Sequence, residues 1–364
     1  MPRRPCTPLQ ESPFYLAKVT LLHFNSLACD FNLMPLPLWG NQPYPRFSLA
    51  PMLDVTDRHF RYFLRLLSNK TLLYTEMITT GALLHGKDPQ RFLDFSAEEQ
   101  PVALQLGGSN PADLALCTKM ATEKGYNEVN LNVGCPSDRV QNNLMGACLM
   151  AHPQLVSDCF QAMQAATHLP VTIKCRIGID DQDEDEDLEA FIEQIKAAGC
   201  KIFILHSRKA WLKGLSPKHN REVPPLNYAR VERLKAQHPD LVIALNGGIN
   251  TLEECKAHLE KVDSVMLGRA LWNNPWLVAQ VDQQLYGEAD NGLTQHQAIR
   301  NYLPYVEERL IAGDRLNPLM RPLLGVFQGV PGARRFRRIL SEGAHISGAG
   351  VELLEEALTH VPEL

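Results

Sequence analysis

In the segment NLNVGCPSDRV, Asn130 to Val140, two amides share one parity and a thiol follows where the alternation stops. Val129, Leu131 and Val133 take the other parity, which is the period of a strand with one apolar and one polar face. Gly134 breaks the pattern and Cys135-Pro136 opens a loop, so the thiol stands at the strand's exit. A cysteine there can attack as a thiolate or, keeping its hydrogen, serve as a general acid. A thiol ordinarily titrates at about 8.5 and holds its proton near neutrality. No histidine lies close in sequence to draw that proton off, which favours the acid role. A positioned acid contributes about 10²–10⁴ in rate.

Polar groups recur at the ends of other apolar runs: Pro51-Met52, Glu76, Gln105, Lys174 with Arg176, His206 with Arg208, Asn246-Gly247-Gly248, and Gly268-Arg269. The last two suit a phosphate, because glycines let backbone N–H groups approach an anion and an arginine adds a fork of donors. Lys174 shares parity with Thr172 and Arg176, opposite Val171, Ile173 and Cys175. If the apolar face meets helices, its ammonium points inward and needs an anionic partner. It could form a Schiff base or stand as a cation beside an electron-rich cofactor. His206 and Arg208 follow the same logic toward a ligand. The Gln105 amide can donate and accept, which suits the edge of a heterocycle. Pro51-Met52 offers apolar surface for a flat ring.

These positions require a particular set of elements. Eight apolar runs, FSLAPM, LLYTEM, PVALQLGG, EVNLNVG, PVTIKCRIG, KIFILHS, LVIALNGGI and DSVMLGRA, alternate with helical patterns. Thr56-Asp57 and Asn110-Pro111 look like helix starts, and Thr251 with Glu254 reads as a capping box. The connection from Ile78 to Gln100 is the irregular one. Polar groups at the C-terminal ends of nearly all eight runs argue for a (β/α)8 TIM barrel over an open doubly wound sheet. After Gly287 only helical patterns follow. The expected organisation is an extension over residues 1–45, a barrel over 46–287 and a small all-helical domain over 288–364. The extension mixes prolines with apolar scraps and is expected to add little structure.

The chain of 364 residues carries a net charge of -5, which gives no global case for nucleic acid. The basic patch is local: from Arg309 to Leu340 there are seven arginines, including ARRFRRIL, against one acid, Asp314. Such a patch fits a phosphate backbone. Nine scattered cysteines without a CxxC pair suggest reduced thiols in a cytoplasm and no zinc site. No apolar run is long enough for a membrane span. The acidic run from Asp180 to Glu189 lacks a calcium loop's spacing and reads as a solvated helix start, so no metal is expected.

Together LAPMLDVTDRHFR, TEMITTGA, ALQLGGS, NLNVGCPSDRVQNNLMGACLM, KCRIGIDD, HSRKAWLKGLSPKHNREVPPL, NGGI and MLGRA resemble the tRNA-dihydrouridine synthases. SPKHNREVPPL and GARRFRRILSEG resemble the A-type members, which act on D-loop uridines at positions 20 and 20a. The resemblance implies an FMN-binding barrel, NADPH as transient reductant, tRNA as partner and no stable protein partner. It implies FMN contacts from Ala50, Pro51, Met52, Gln105, Lys174, His206, Arg208, Asn246, Gly247, Gly248, Gly268 and Arg269. It makes Cys135 the proton donor and Asn132, Lys218, Arg221, Arg334 and Arg337 tRNA contacts. The competing reading is an FMN-dependent barrel that reduces a small pyrimidine or dihydroorotate.

Overall fold

The computed structural model describes residues 38–39, 42–183 and 185–363. Most of the expected N-terminal extension therefore lies outside the described residues. Eight parallel strands form the sheet: β1 (Phe47–Leu49), β2 (Leu73–Thr79), β3 (Val102–Gly107), β4 (Glu128–Val133), β5 (Val171–Arg176), β6 (Ile202–His206), β7 (Val242–Asn246) and β8 (Ser264–Leu267). Each pairs with its successor from β2 to β8, and β8 pairs back to β1. A parallel bridge between Ser48 and Leu72 joins β1 to β2 and closes the ring, which makes a (β/α)8 barrel.

Alternation places each strand's two faces. Val129, Leu131, Val133, Ile173 and Cys175 face the surrounding helices in one large apolar core. The barrel interior holds a second apolar cluster, with Tyr74, Ala103, Ile202, Ile204, Val242, Ala244 and Met266. The helix starts read from the sequence are present. Asp57 caps Arg58–Leu67 by accepting from the Phe60 N–H, Asn110 caps Pro111–Lys124, and Thr251 with Glu254 makes the reciprocal box on Leu252–Leu259. The irregular second connection holds the short helices Thr80–His85 and Gln90–Leu93 and one 3₁₀ turn, Ala97–Glu99.

One stretch of the supposed extension has a definite place. Leu38–Trp39 and Gln42–Pro43 pair as a tiny antiparallel hairpin. It brings Trp39 and Tyr44 against the barrel's interior cluster. Apolar scraps that looked dispensable thus close the barrel's base, because the ends of the inward-facing strands need a cover.

The barrel units end at helix Val281–Tyr286, which is capped by Gly287, and helices Gln295–Ile311, Leu316–Met320, Ala333–Gly343 and Glu352–Leu358 follow. These helices do not stand apart. Tyr305 stacks on Tyr62 at 3.9 Å, Tyr302 meets Phe63 edge-on, and His59 Nδ1 lies 2.8 Å from the Tyr305 hydroxyl. The first barrel helix therefore shares its outer face with the C-terminal helices.

Candidate active site

The C-terminal ends of the strands form the mouth. Lys174, at the end of β5, is largely enclosed and donates from Nζ to Asn246 Oδ1 at 2.9 Å. Asn246 in turn donates to the Met266 carbonyl, which fixes its amide with the oxygen toward the lysine. Burial, reinforced by the Arg176 charge, lowers Lys174 to about 8. Burial also pushes His206 well below its ordinary value, with the charges of Arg176, Lys174, Arg208 and Arg269 acting in the same direction. His206 Nδ1 is buried without a hydrogen-bond partner. Cys135 lies within electrostatic reach of Lys174, Arg176 and Arg221. The thiol, the lysine, the histidine and the arginines read from separate strand ends are therefore one constellation.

The glycines at β7 and β8 sit where a side chain would not fit. Gly247 and Gly248 have φ of +111° and +76°. A Cβ on Gly247 would come within 3.2 Å of the His206 ring, and one on Gly248 would clash with Leu226 at 2.5 Å. A Cβ on Gly268 would come within 3.1 Å of Met52 Sδ and 3.3 Å of Ala50 Cβ, so the β8 turn lies against the β1 turn. Ala50 donates its N–H to the Leu267 carbonyl at 2.7 Å, and Met52 is half-buried beside it. Side-chain-free turns at the ends of β7 and β8, an orphaned imidazole nitrogen and a lysine without a carboxylate partner among the described residues fit a phosphorylated, electron-rich ring such as a flavin mononucleotide.

Other expected residues have additional ties. Gln105 is buried with both ends of its amide engaged, donating to Asn130 at 2.7 Å and accepting from Asn132 at 2.8 Å. Asn132 Oδ1 accepts from the backbone N–H groups of Gly134 and Cys135 at 3.1 and 3.0 Å. The asparagine thus shapes the cysteine loop. Arg208 donates to the carbonyls of Glu222 and Pro224. Arg269 is exposed, pairs with Glu222 at 3.1 Å and donates to the Arg221 carbonyl at 3.2 Å. Lys218 and Arg221 are exposed on the connection after β6, at the same end of the barrel. Arg334 and Arg337 are exposed on helix Ala333–Gly343, away from that cluster. Phe336, on the same helix, faces the opposite way, fully buried and edge-on to Phe327 at 4.9 Å.

Two groups carry more than the sequence reading gave them. Arg176 is buried and held by carbonyls alone, donating to Gly134, Lys209 and Asn220 at 2.9–3.0 Å. It ties the cysteine loop to the loop of Lys218 and Arg221. Burial lowers it to about 10, with the charges of Arg221 and Arg208 acting in the same direction. Glu128, at the start of β4, is fully buried under the barrel and accepts from Trp39, Tyr74 and Thr172. Burial pushes it up to about 7 against the pull of those donors. Its signal was available, since position 128 continues the polar parity of Asn130 and Asn132.

A closed barrel whose polar groups, glycines and cations all gather at one mouth defines an enzyme of the TIM-barrel class. Residues 48–361 match the family described as Dihydrouridine synthase (Dus). The chain is 55% identical over 331 residues to the tRNA-dihydrouridine(20/20a) synthase of Escherichia coli O6:H1, covering 90% of this chain and 99% of that one. It is 56% identical over 315 residues to the protein of the same name from Shewanella oneidensis, covering 86% and 93%. Among solved structures, a 2-naphthoyl-CoA reductase complex shares the fold with a TM-score of 0.52 and 12% identity, over 65% of this chain and 50% of that one. The chain belongs to the dihydrouridine synthase family, whose members are flavin-dependent oxidoreductases. No helix among the described residues is long and apolar enough to cross a membrane.

Proposed function

We propose that this protein reduces uridine to 5,6-dihydrouridine in the tRNA D-loop, at positions 20 and 20a, with FMN as resident cofactor and NADPH as its reductant. The observation that carries this reading is the convergence of the Cys135 loop with Lys174, Arg176 and His206 at the glycine-cradled mouth. A flavin held there and reduced by NADPH would supply a hydride for C6 of the pyrimidine. The chain supplies the rest.

Gly247, Gly248, Gly268, Arg208 and Arg269 would hold the cofactor's phosphate. Ala50, Pro51 and Met52 would take its ring, and Gln105, Lys174 and His206 its polar edge. Lys174 places positive charge where negative charge accumulates during the reaction. Cys135 gives its Sγ hydrogen to C5, so that hydride and proton together saturate the C5–C6 bond. The target uridine must leave the stack to reach the mouth. Asn132 meets the extruded base, Lys218 and Arg221 the flanking backbone, and Arg334 and Arg337 a more distant stretch of the tRNA. The helical residues 288–364 are thus the RNA-facing part. A cytoplasmic location follows from a tRNA substrate.

The test uses tRNA lacking dihydrouridine and the flavin-loaded protein, with products located by mass spectrometry. Conversion at 20 and 20a is expected, and Cys135→Ala should slow it about 10²–10⁴-fold. Full-rate conversion by that variant, or none by the wild type, would remove the assignment. A reductase of free pyrimidines would instead turn over uracil and ignore tRNA.

A further inference from the structure

The amides below Cys135 run in one direction through the barrel. Gly134 and Cys135 donate to Asn132 Oδ1, and Asn132 Nδ2 donates to Gln105 Oε1 at 2.8 Å. Gln105 Nε2 then donates to Asn130 Oδ1 at 2.7 Å, and Asn130 Nδ2 to Thr172 Oγ1 at 2.8 Å. Thr172 Oγ1 donates to Glu128 Oε1 at 2.6 Å. Every member presents its donor toward the base and its acceptor toward the mouth. An amide can sit either way round, so its own chemistry does not fix that direction. An ionised carboxylate can only accept. Trp39 Nε1 can only donate, and it faces Glu128 Oε2 at 3.0 Å.

We infer that Glu128 is a positioning residue for the proton-transfer step, setting the polarity of a five-link hydrogen-bond chain whose last acceptor, Asn132 Oδ1, holds the Cys135 loop. With the direction reversed, Asn132 would turn its NH₂ toward the Gly134 and Cys135 N–H groups, donor against donor. The loop would then lose its anchor while the fold above and below stayed intact. The inference rests on Cys135 as the proton donor, and it adds that the thiol's place is held from the opposite end of the barrel as well as by the two backbone donors at the mouth.

Glu128→Gln separates polarity from packing. Its amide must either face Trp39 with NH₂, donor to donor, or face Tyr74 and Thr172 with NH₂ and push the chain toward reversal. Adding Trp39→Phe removes the opposing N–H and lets the glutamine oxygen return to Thr172. The measurements are single-turnover dihydrouridine formation by pre-reduced flavin-loaded protein, the KM for tRNA, and the iodoacetamide alkylation rate of Cys135 located by peptide mass spectrometry. At about pH 8, above the value of about 7 for Glu128, the wild-type carboxylate is ionised.

Glu128→Gln is expected to slow single turnover at saturating tRNA about 10–100-fold, raise the KM for tRNA through the turned Asn132 amide, and shift the alkylation rate at least about threefold. The double variant should recover most of both rates although its thermal midpoint stays below wild type. A residue that only supports the fold predicts the reverse, with the double variant worse on every measure, and that result would overturn the inference. So would wild-type turnover and alkylation in Glu128→Gln. Should neither Glu128 variant fold, Thr172→Val must slow turnover and shift alkylation, and Thr172→Ser must restore most of the loss. Wild-type behaviour of Thr172→Val then ends the idea. If Cys135→Ala keeps full activity, the acid assignment fails, and the alkylation series still decides whether Glu128 sets the loop.

Discussion

The two ends of the barrel treat buried charge in opposite ways. At the base, a single carboxylate, Glu128, is met by donors from Trp39, Tyr74 and Thr172. At the mouth, Lys174 and Arg176 are enclosed with only amide and carbonyl oxygens for company. Among the described residues neither has a carboxylate partner. A folded chain leaves cations so poorly neutralised where another molecule supplies the negative charge. The base is complete as it stands and belongs to the protein's own architecture. The mouth, on the function proposed above, draws its counter-charge from a ligand.

The sharpest way to break that contrast is to open the base. Glu128→Ala removes the acceptor of three donors, Tyr74 and Thr172 buried and Trp39 half-buried, each worth about 1–3 kcal/mol when left unsatisfied, and leaves a cavity besides. We expect a loss of about 4 kcal/mol or more, seen as a lower denaturant midpoint at unchanged slope. A loss below about 1 kcal/mol would mean that water replaces the carboxylate and that the base is not a closed cluster.

At the mouth the glycine cradle comes next in size. A methyl at Gly248 would lie 2.5 Å from Leu226 and 2.7 Å from the Tyr228 hydroxyl, at a φ of +76°. Gly248→Ala should cost about 2 kcal/mol of stability and release flavin on purification, read from the ratio of visible to ultraviolet absorbance. Full flavin retention would move the phosphate away from this turn.

Lys174 sharpens the comparison by its pH dependence. Its value in the folded protein, about 8, lies below the ordinary lysine value. The folded state therefore binds this proton more weakly than the unfolded chain does. Its penalty on stability is full below pH 8 and disappears as the pH climbs toward the ordinary value. In flavin-free protein, Lys174→Met should melt higher than wild type at neutrality, by about 2 °C or more. The gap should close as the pH rises above 8. With flavin bound the order should invert, because the ammonium then has its anion. A gap independent of pH would show that methionine merely packs better.

Much of this was legible in the residue order, and what escaped has a physical reason. The eight strands announced themselves through period and exits, because a parallel barrel strand must be apolar toward the helices and place its polar groups at one end. Cys135, Lys174 and the NGG turn were visible because each is costly or pointless in a core. Trp39 was not, since only the closed barrel reveals that its base needs a cover. Glu128 lay in plain sight at a strand start, yet a glutamate there reads as solvated until tertiary structure buries it. Arg176 was noticed without a task, because its partners are carbonyls from distant loops that no side-chain pattern encodes.

The smallest expected effect concerns the arginines far from the mouth, and it tests how far the ligand-completed surface extends. On helix Ala333–Gly343, Arg334, Arg337 and Arg338 share a face at spacings of three and four, while Phe336 anchors the opposite face in the core. Arg338 pairs with Glu342 at 3.7 Å, whereas Arg334 and Arg337 have no carboxylate partner among the described residues. They resemble Lys174 in lacking a counter-charge but differ in being solvated, so leaving them unpaired costs the fold almost nothing. Replacing both with glutamine should leave the thermal midpoint in place, weaken tRNA binding about tenfold at moderate salt, and flatten the dependence of log Kd on log salt by about one to two units. Turnover at saturating tRNA should not change, because neither side chain approaches the thiol. An unaltered salt slope would confine the RNA footprint to the barrel mouth and leave the basic helix as ordinary solvated surface.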